Sequence, residues 1–205
     1  MSVRPAITLL LGLGLLAGGC DRQDGGAEQA NSVVPANTVA AAPASPATPA
    51  APGADNAIGM LDRSHKGEAA PDFAFADAKG VKTTLAAFAG KPVLLNLWAT
   101  WCAPCVKEMP TLDALAQREG AALKVLTISQ DLDGPAKVVP YFEKAGFEAL
   151  EPWTDPDLRF SVGLGANLPT TILYDAAGKE VWRMTGSMDW SNDAARQLIA
   201  EASAA

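Results

Sequence analysis

The stretch Pro92-Val93-Leu94-Leu95-Asn96-Leu97-Trp98 is an almost unbroken apolar run, and only Ala99-Thr100 separates it from Trp101-Cys102-Ala103-Pro104-Cys105. A run this short and this apolar reads as a strand buried on both faces of a sheet. A helix is predicted to follow over 103–119, so the two cysteines fall at a strand-to-helix junction. That junction restricts the chain to folds built on strand–helix–strand units.

The neighbouring segments fit such a unit. Residues 123–129 read as a second buried strand, and 134–145 as a helix stopped by Gly146. Two strands joined through a helix imply a parallel pair with a right-handed crossover. Residues 170–175 and 180–185, around the turn Ala176-Ala177-Gly178-Lys179, predict an antiparallel hairpin, and 191–202 a last helix. Ahead of the central strand, Phe73-Ala74-Phe75 and 81–84 predict a first hairpin around Ala78-Lys79-Gly80. The fold class expected is α/β: a central mixed sheet flanked by helices on both faces, with an N-terminal β-hairpin extension, occupying residues 58–205.

The first part of the chain has a different character. Arg4, an apolar run from Ile7 to Ala17 and then Ala17-Gly18-Gly19-Cys20 carry the charged, hydrophobic and small-residue parts of an export signal. The run is shorter than the roughly 20 apolar residues a spanning helix needs. Small residues directly before Cys20 resemble a bacterial lipobox, with Ala17 in the place where leucine is favoured; the expectation is a signal peptide over 1–19 and lipidation at Cys20. Asp21 directly after it fits retention at the inner membrane, hence a lipid-anchored protein on the periplasmic face. Residues 20–57 are then an Ala/Pro-rich tether, too poor in large apolar groups to form a core. About 40 flexible residues span roughly 35 Å.

Lipidation of one of the three cysteines leaves a single Cys-X-X-Cys pair. A cysteine at a helix N-terminus meets unpaired N–H groups and the positive end of the helix dipole, which favour a thiolate. A dipole effect of about 1 to 2 kcal/mol lowers a thiol pKa by roughly one unit. Cys102 is therefore the predicted nucleophile, and Cys105, one turn further in, the resolving thiol. Pro104 lacks an N–H and suits the first helical turn. Zinc sites share the spacing but need two further ligands, and the chain offers one histidine, His65, in a polar stretch placed just ahead of the domain. A structural disulfide is the other alternative, although a bridge closing so short a loop constrains the unfolded chain little. The net charge of −7, without a basic stripe, speaks against nucleic acid as a partner.

Trp98-Ala99-Thr100-Trp101-Cys102-Ala103-Pro104-Cys105 followed by Lys107-Glu108-Met109-Pro110 resembles the active-site segment of thioredoxin-like proteins, most closely the membrane-anchored TlpA and ResA group. Leu168-Pro169-Thr170-Thr171 is similar to the family segment whose cis-proline packs beside the active-site disulfide. The resemblance implies a thiol:disulfide oxidoreductase with a redox disulfide between Cys102 and Cys105, substrate contacts at Trp101, Ala103, Pro104 and Leu168, and no cofactor. It also implies a kink at Pro110 and a proton-transfer role for Glu108, six residues after Cys102. Asn96 departs from thioredoxin itself, where a buried aspartate stands six residues before the first cysteine; Asn96 cannot titrate. Ala103-Pro104 replaces the Pro-His pair of strongly oxidising DsbA-type proteins, which favours a reductant. The group's substrates are protein cysteine pairs in cytochrome biogenesis: copper-delivery proteins, the copper subunit of cytochrome oxidase, or apocytochrome c. Thr185-Gly186-Ser187-Met188-Asp189-Trp190 resembles the TlpA branch. Electrons would come from a membrane donor of the DsbD or CcdA kind, and a monomer is expected. The alternatives weighed are an oxidant or isomerase of secreted proteins and a copper-binding chaperone.

Overall fold

The computed structural model describes residues 59–203. The signal peptide over 1–19, the lipidation of Cys20 and the tether over 20–57 lie outside the described residues.

Eight strands form one sheet: β1 (Met60–Asp62), β2 (Phe75–Ala76), β3 (Lys82–Thr83), β4 (Val93–Trp98), β5 (Lys124–Ser129), β6 (Trp153–Thr154), β7 (Thr170–Tyr174) and β8 (Glu180–Thr185), in the order β1-β8-β7-β4-β5-β6-β2-β3. β4, β5 and β6 run parallel, and every other neighbouring pair is antiparallel. Four helices connect them: α1 (Ala103–Glu119), α2 (Pro135–Ala145), α3 (Arg159–Gly163) and α4 (Asp193–Ala200).

The central strand explains the layering. Successive side chains of a strand point to opposite faces. In β4, Leu94 and Trp98 enter a core shared with α1, α2 and α4, whereas Val93, Leu95 and Leu97 enter a second core closed by Phe75, Leu85 and Phe160. Burying each such leucine is worth about 1.5 to 3 kcal/mol, so a continuous apolar sequence is what a two-sided strand requires. Asn96 is the one polar residue in β4, and it points to the α1 face between Leu94 and Trp98.

Helix boundaries follow local chemistry. α1 takes Cys102 as its N-cap in an extended conformation and has Pro104 in its first turn. α2 opens on Pro135 and stops where Gly146 enters the left-handed region at φ 67°, its N–H closing onto the Phe142 carbonyl at 3.0 Å. The last helix is shorter than the predicted 191–202. The Asn192 side chain caps it by accepting from Ala195 N at 2.9 Å, and Glu201–Ser203 tightens into a 3₁₀ turn.

The predicted first hairpin is β2–β3, and it extends the sheet at its far edge by docking through β2 onto β6. One feature corrects the sequence expectations: His65 does not precede the folded region. β1 adds to β8, and the chain around His65 stays laced to that strand: Gly67 N donates to Glu180 O at 2.8 Å, and Glu180 N to Glu68 O at 2.8 Å. Only Leu61 of β1 packs against the core, so this strand carries almost no apolar periodicity to read.

Candidate active site

The parallel strands β4 and β5 end together, and both ends carry polar groups that shape the turn before α1. Asp131, buried just beyond β5, accepts from Thr100 N at 2.8 Å, Thr100 Oγ1 at 2.6 Å and Ser129 Oγ at 2.7 Å. Gln130 N donates to Trp98 O at 2.8 Å, and Cys102 N to Ala99 O at 3.1 Å. Residues 99–102 thus form a turn pinned from the next strand. Thr100 and Asp131 were not singled out by sequence reasoning; an acid immediately beyond a buried strand, on the side where the neighbouring strand carries the cysteines, was the available signal.

Cys102 and Cys105 are joined by a disulfide across the first turn of α1. Their environments differ. Cys105 is fully buried, whereas Cys102 retains 6 % of its surface and is preceded by Trp101, which is 70 % exposed. Ala103 and Pro104, between them, are exposed. Cys102 is therefore the one of the pair that keeps accessible surface toward an approaching polypeptide.

The Leu168–Pro169 peptide is cis. Thr170 pairs with Leu97, which sets Pro169 beside the carboxyl end of β4, and Pro169 O accepts from Gly186 N at 2.9 Å. The structure thus brings Trp101, Cys102, Ala103, Pro104, Leu168 and Pro169 to one end of the sheet. Trp98 is completely buried against Tyr141 and Phe142, and Trp153 packs edge-on to Phe75.

Glu108 lies behind the disulfide and is 3 % exposed. It is one turn beyond Cys105, and residues three apart share a helix face. Its Oε1 accepts from Asn96 Nδ2 at 2.8 Å, and its Oε2 from Met188 N at 3.0 Å and Trp190 Nε1 at 3.3 Å. Asn96 Nδ2 also donates to Thr171 Oγ1 at 3.0 Å. Burial raises the carboxyl pKa to about 7, against the lowering effect of the bonds from Met188, Asn96 and Trp190. Glu108 is thus an interior carboxyl, not a solvated charge in the first part of a helix. Met188 and Trp190 belong to the segment marked only by resemblance, and their hydrogen bonds to Glu108 have no signature in spacing or periodicity. Chemically, the end of the sheet offers a sulfur open to attack, a second sulfur sealed from solvent, and a buried carboxyl able to change protonation near neutral pH.

Comparison with known proteins agrees with this arrangement. The Redoxin family model matches residues 65–199. The Thiol-disulfide oxidoreductase ResA of Geobacillus thermodenitrificans is 35 % identical over 127 residues, covering 60 % of this chain and 70 % of the relative. Its namesake from Geobacillus kaustophilus is 34 % identical over 128 residues, with the same coverage. Among solved structures, a protein from Chlorobium tepidum assigned as thiol:disulfide interchange protein DsbE superposes with a TM-score of 0.58 at 28 % identity, covering 67 % of this chain and 96 % of that one. The pneumococcal exposed lipoprotein thioredoxin of Streptococcus pneumoniae gives a TM-score of 0.55 at 26 % identity, covering 64 % and 99 %.

Proposed function

From the premise that this chain belongs to the Redoxin family and is a thiol-disulfide oxidoreductase of the ResA and DsbE type with a thioredoxin-like fold, we propose that it is an extracytoplasmic reductase of protein cysteine pairs. In this reading the Cys102 thiolate attacks one sulfur of a substrate disulfide, the substrate S–S bond breaks, and a mixed disulfide forms as one substrate thiolate leaves. The Cys105 thiolate then attacks the Cys102 sulfur and expels the second substrate thiolate. The substrate gains two electrons and two protons, and the domain closes its own disulfide.

The observation that carries the reading is the asymmetry of the pair, Cys102 at the rim beside an exposed Trp101 and Cys105 sealed beneath it. Glu108 takes up the proton of Cys105 as that thiol becomes the attacking thiolate. Pro169 closes the groove beside the disulfide, and Trp101, Ala103, Pro104 and Leu168 line the substrate's path. Ala103-Pro104 between the cysteines supports the reducing direction, since no histidine is there to stabilise the thiolate. The substrates proposed are the cysteine pairs of cytochrome oxidase copper-site assembly or of apocytochrome c, with a DsbD- or CcdA-type membrane donor. Lipidation at Cys20 and the tether over 20–57 would hold the domain of residues 58–205 near that donor as a monomer. A lipoprotein among its structural relatives supports the placement.

The deciding experiment is the reduction potential of the purified protein, equilibrated in dithiothreitol and glutathione buffers and followed by tryptophan fluorescence. A value near or below that of thioredoxin, about −270 mV, is expected; one near the DsbA end, about −120 mV, would reverse the direction of electron flow. Failure to reduce both a copper-site thiol pair and apocytochrome c would remove the assignment to cytochrome biogenesis.

A further inference from the structure

The loop after β5 places one buried carboxyl group at the base of the turn that carries Cys102. Asp131 accepts from Thr100 through both oxygens, Oδ2 from the backbone N–H at 2.8 Å and Oδ1 from the hydroxyl at 2.6 Å. Oδ2 accepts once more, from Ser129 Oγ at 2.7 Å. All three partners donate, which is the pattern a carboxylate anion takes, and none is a cation. Among the described residues Asp131 forms no ion pair. Cys102 stands two residues beyond Thr100, and its N–H closes back onto Ala99 O at 3.1 Å. A chain advances at most about 3.6 Å per residue, so the Cys102 amide lies within about 10 Å of that carboxylate.

The other ionisable groups on the segments around Cys102 are Lys107 and Glu108 of α1, Asp133 in the same loop as Asp131, Asp155 after β6 and Asp189 after β8; residues 166–170 carry none. Lys107, Asp133 and Asp189 are exposed, where salt screens their fields. Asp155 is buried one strand further away and accepts from Phe160 N. Glu108 lies on the far side of the disulfide, behind Cys105. Asp131 is thus the buried negative charge on the Cys102 side.

We propose that Asp131 sets the acidity of Cys102: its buried charge opposes the thiolate that the α1 N-terminus favours, keeping the Cys102 thiol protonated to higher pH and the domain poised toward its disulfide. The assignment rests on the proposed attack by Cys102. Asp131 acts through the turn and through its field, as a positioning residue. A unit charge about 10 Å away, at an effective dielectric near 20, moves a thiolate equilibrium by about tenfold, comparable in size and opposite in sign to the effect of a helix N-terminus. Where the thiolate is less favoured, the reduced pair loses stability against the disulfide and passes its electrons on more readily, the direction a reductant needs.

The test uses the full chain, reduced and freed of reductant. Alkylation by iodoacetamide is followed across the pH range in which thiols titrate, and the labelled cysteine is assigned by peptide mass. Asp131→Asn removes the charge and keeps the bonds, since the amide oxygen accepts from Thr100 N and Ser129 Oγ while the amide N–H meets Thr100 Oγ1. Asp131→Ser also removes the charge, whereas Thr100→Val loosens the same turn and keeps it. Glu108 is present in every variant, so its own titration cancels in the comparison. Both charge-removing variants are expected to move the Cys102 midpoint about one pH unit toward acid. Below both midpoints they should react about threefold faster, because tenfold more thiolate is offset by its weaker nucleophilicity. At a pH where the thiolate dominates in wild type and variant alike, exchange with dithiothreitol should shift about tenfold toward the reduced domain, or about 30 mV. Thr100→Val should show no acid shift. A Cys102 midpoint unmoved in Asp131→Asn, or moved as far in Thr100→Val, overturns the tuning by Asp131 and leaves the attack by Cys102 standing. Labelling of Cys105 in preference to Cys102 in the wild type overturns both.

Discussion

The side-chain amide of Asn96 donates to Glu108 Oε1 across 2.8 Å, joining the residue six places before Cys102 to the residue six places after it. The strand and the helix on either side of the cysteines are thereby locked at the level of the disulfide. Every group bonded to Glu108 is neutral: the Asn96 amide, the Met188 N–H and the Trp190 indole. The carboxyl is stabilised by dipoles alone, and burial outweighs them.

That balance gives stability a definite dependence on pH. The folded pKa of Glu108 is raised from 4.5 to about 7, so between those values the native state holds a proton that the unfolded chain has released. Stability contributed by the neutral carboxyl is present below the unfolded value and lost as pH rises through about 7, a change of about 3 kcal/mol. Glu108→Gln cannot titrate. In urea unfolding of the oxidised protein, its stability relative to wild type should climb by about that amount from pH 4.5 to pH 8; a constant difference would mean that Glu108 ionises like a surface carboxylate.

The unequal exposure of the two sulfurs predicts unequal variants. Cys105→Ser should accumulate a mixed disulfide with a substrate peptide, visible by intact mass and reversed by dithiothreitol, while Cys102→Ser should form none. Accumulation on Cys102→Ser instead would make Cys105 the attacking group. With both cysteines present, Glu108→Gln should slow resolution of that intermediate by about a hundredfold or more, as expected for lost general-base assistance.

How far the sequence carried this picture depended on whether a feature was local. β4, β5, α1 and α2 announce themselves because each keeps its apolar pattern over six or more residues, and both helices end at Gly. β1, β6 and α3 do not. Trp153–Thr154 is two residues long and becomes a strand only because β5 and β2 lie on either side of it, and α3 is a five-residue helix entered through Leu158 in the left-handed region at φ 55°. The cysteines were legible from spacing and from the junction they occupy. The bonds of Glu108 to Met188 and Trp190 bridge 80 and 82 residues, and no pattern within a window reports a contact made by folding.

Asp131 offers a test of how the turn before α1 is held. It accepts from both the backbone and the hydroxyl of Thr100 and from Ser129 Oγ, so its removal leaves donors without partners in a largely buried place. Each such orphan costs about 1 to 3 kcal/mol. Asp131→Ala should lower unfolding stability by at least about 2 kcal/mol and increase hydrogen exchange at the Thr100 amide. Asp131→Asn, which keeps an acceptor oxygen, should recover part of the loss. Wild-type stability in Asp131→Ala would show that the turn is held by the helix alone.

Gly163, at the end of α3, tests how closely the second core is packed. A methyl group there would lie 2.5 Å from Phe73 Cζ and 2.6 Å from Phe73 Cε2. Phe73 cannot easily retreat, because its ring stands edge-on to Phe160 at 5.5 Å, and Phe160 in turn meets Phe75 at 5.8 Å. Adding an atom to a filled site costs about 1 to 3 kcal/mol, while Gly to Ala in a helix would by itself gain up to about 1 kcal/mol. The steric effect is the larger, so Gly163→Ala should lower the urea midpoint with an unchanged m-value, and Phe73→Leu in the same chain should restore part of the loss by making room. Equal or greater stability in Gly163→Ala would mean that Phe73 is free to move and that α3 packs less tightly than the contacts imply.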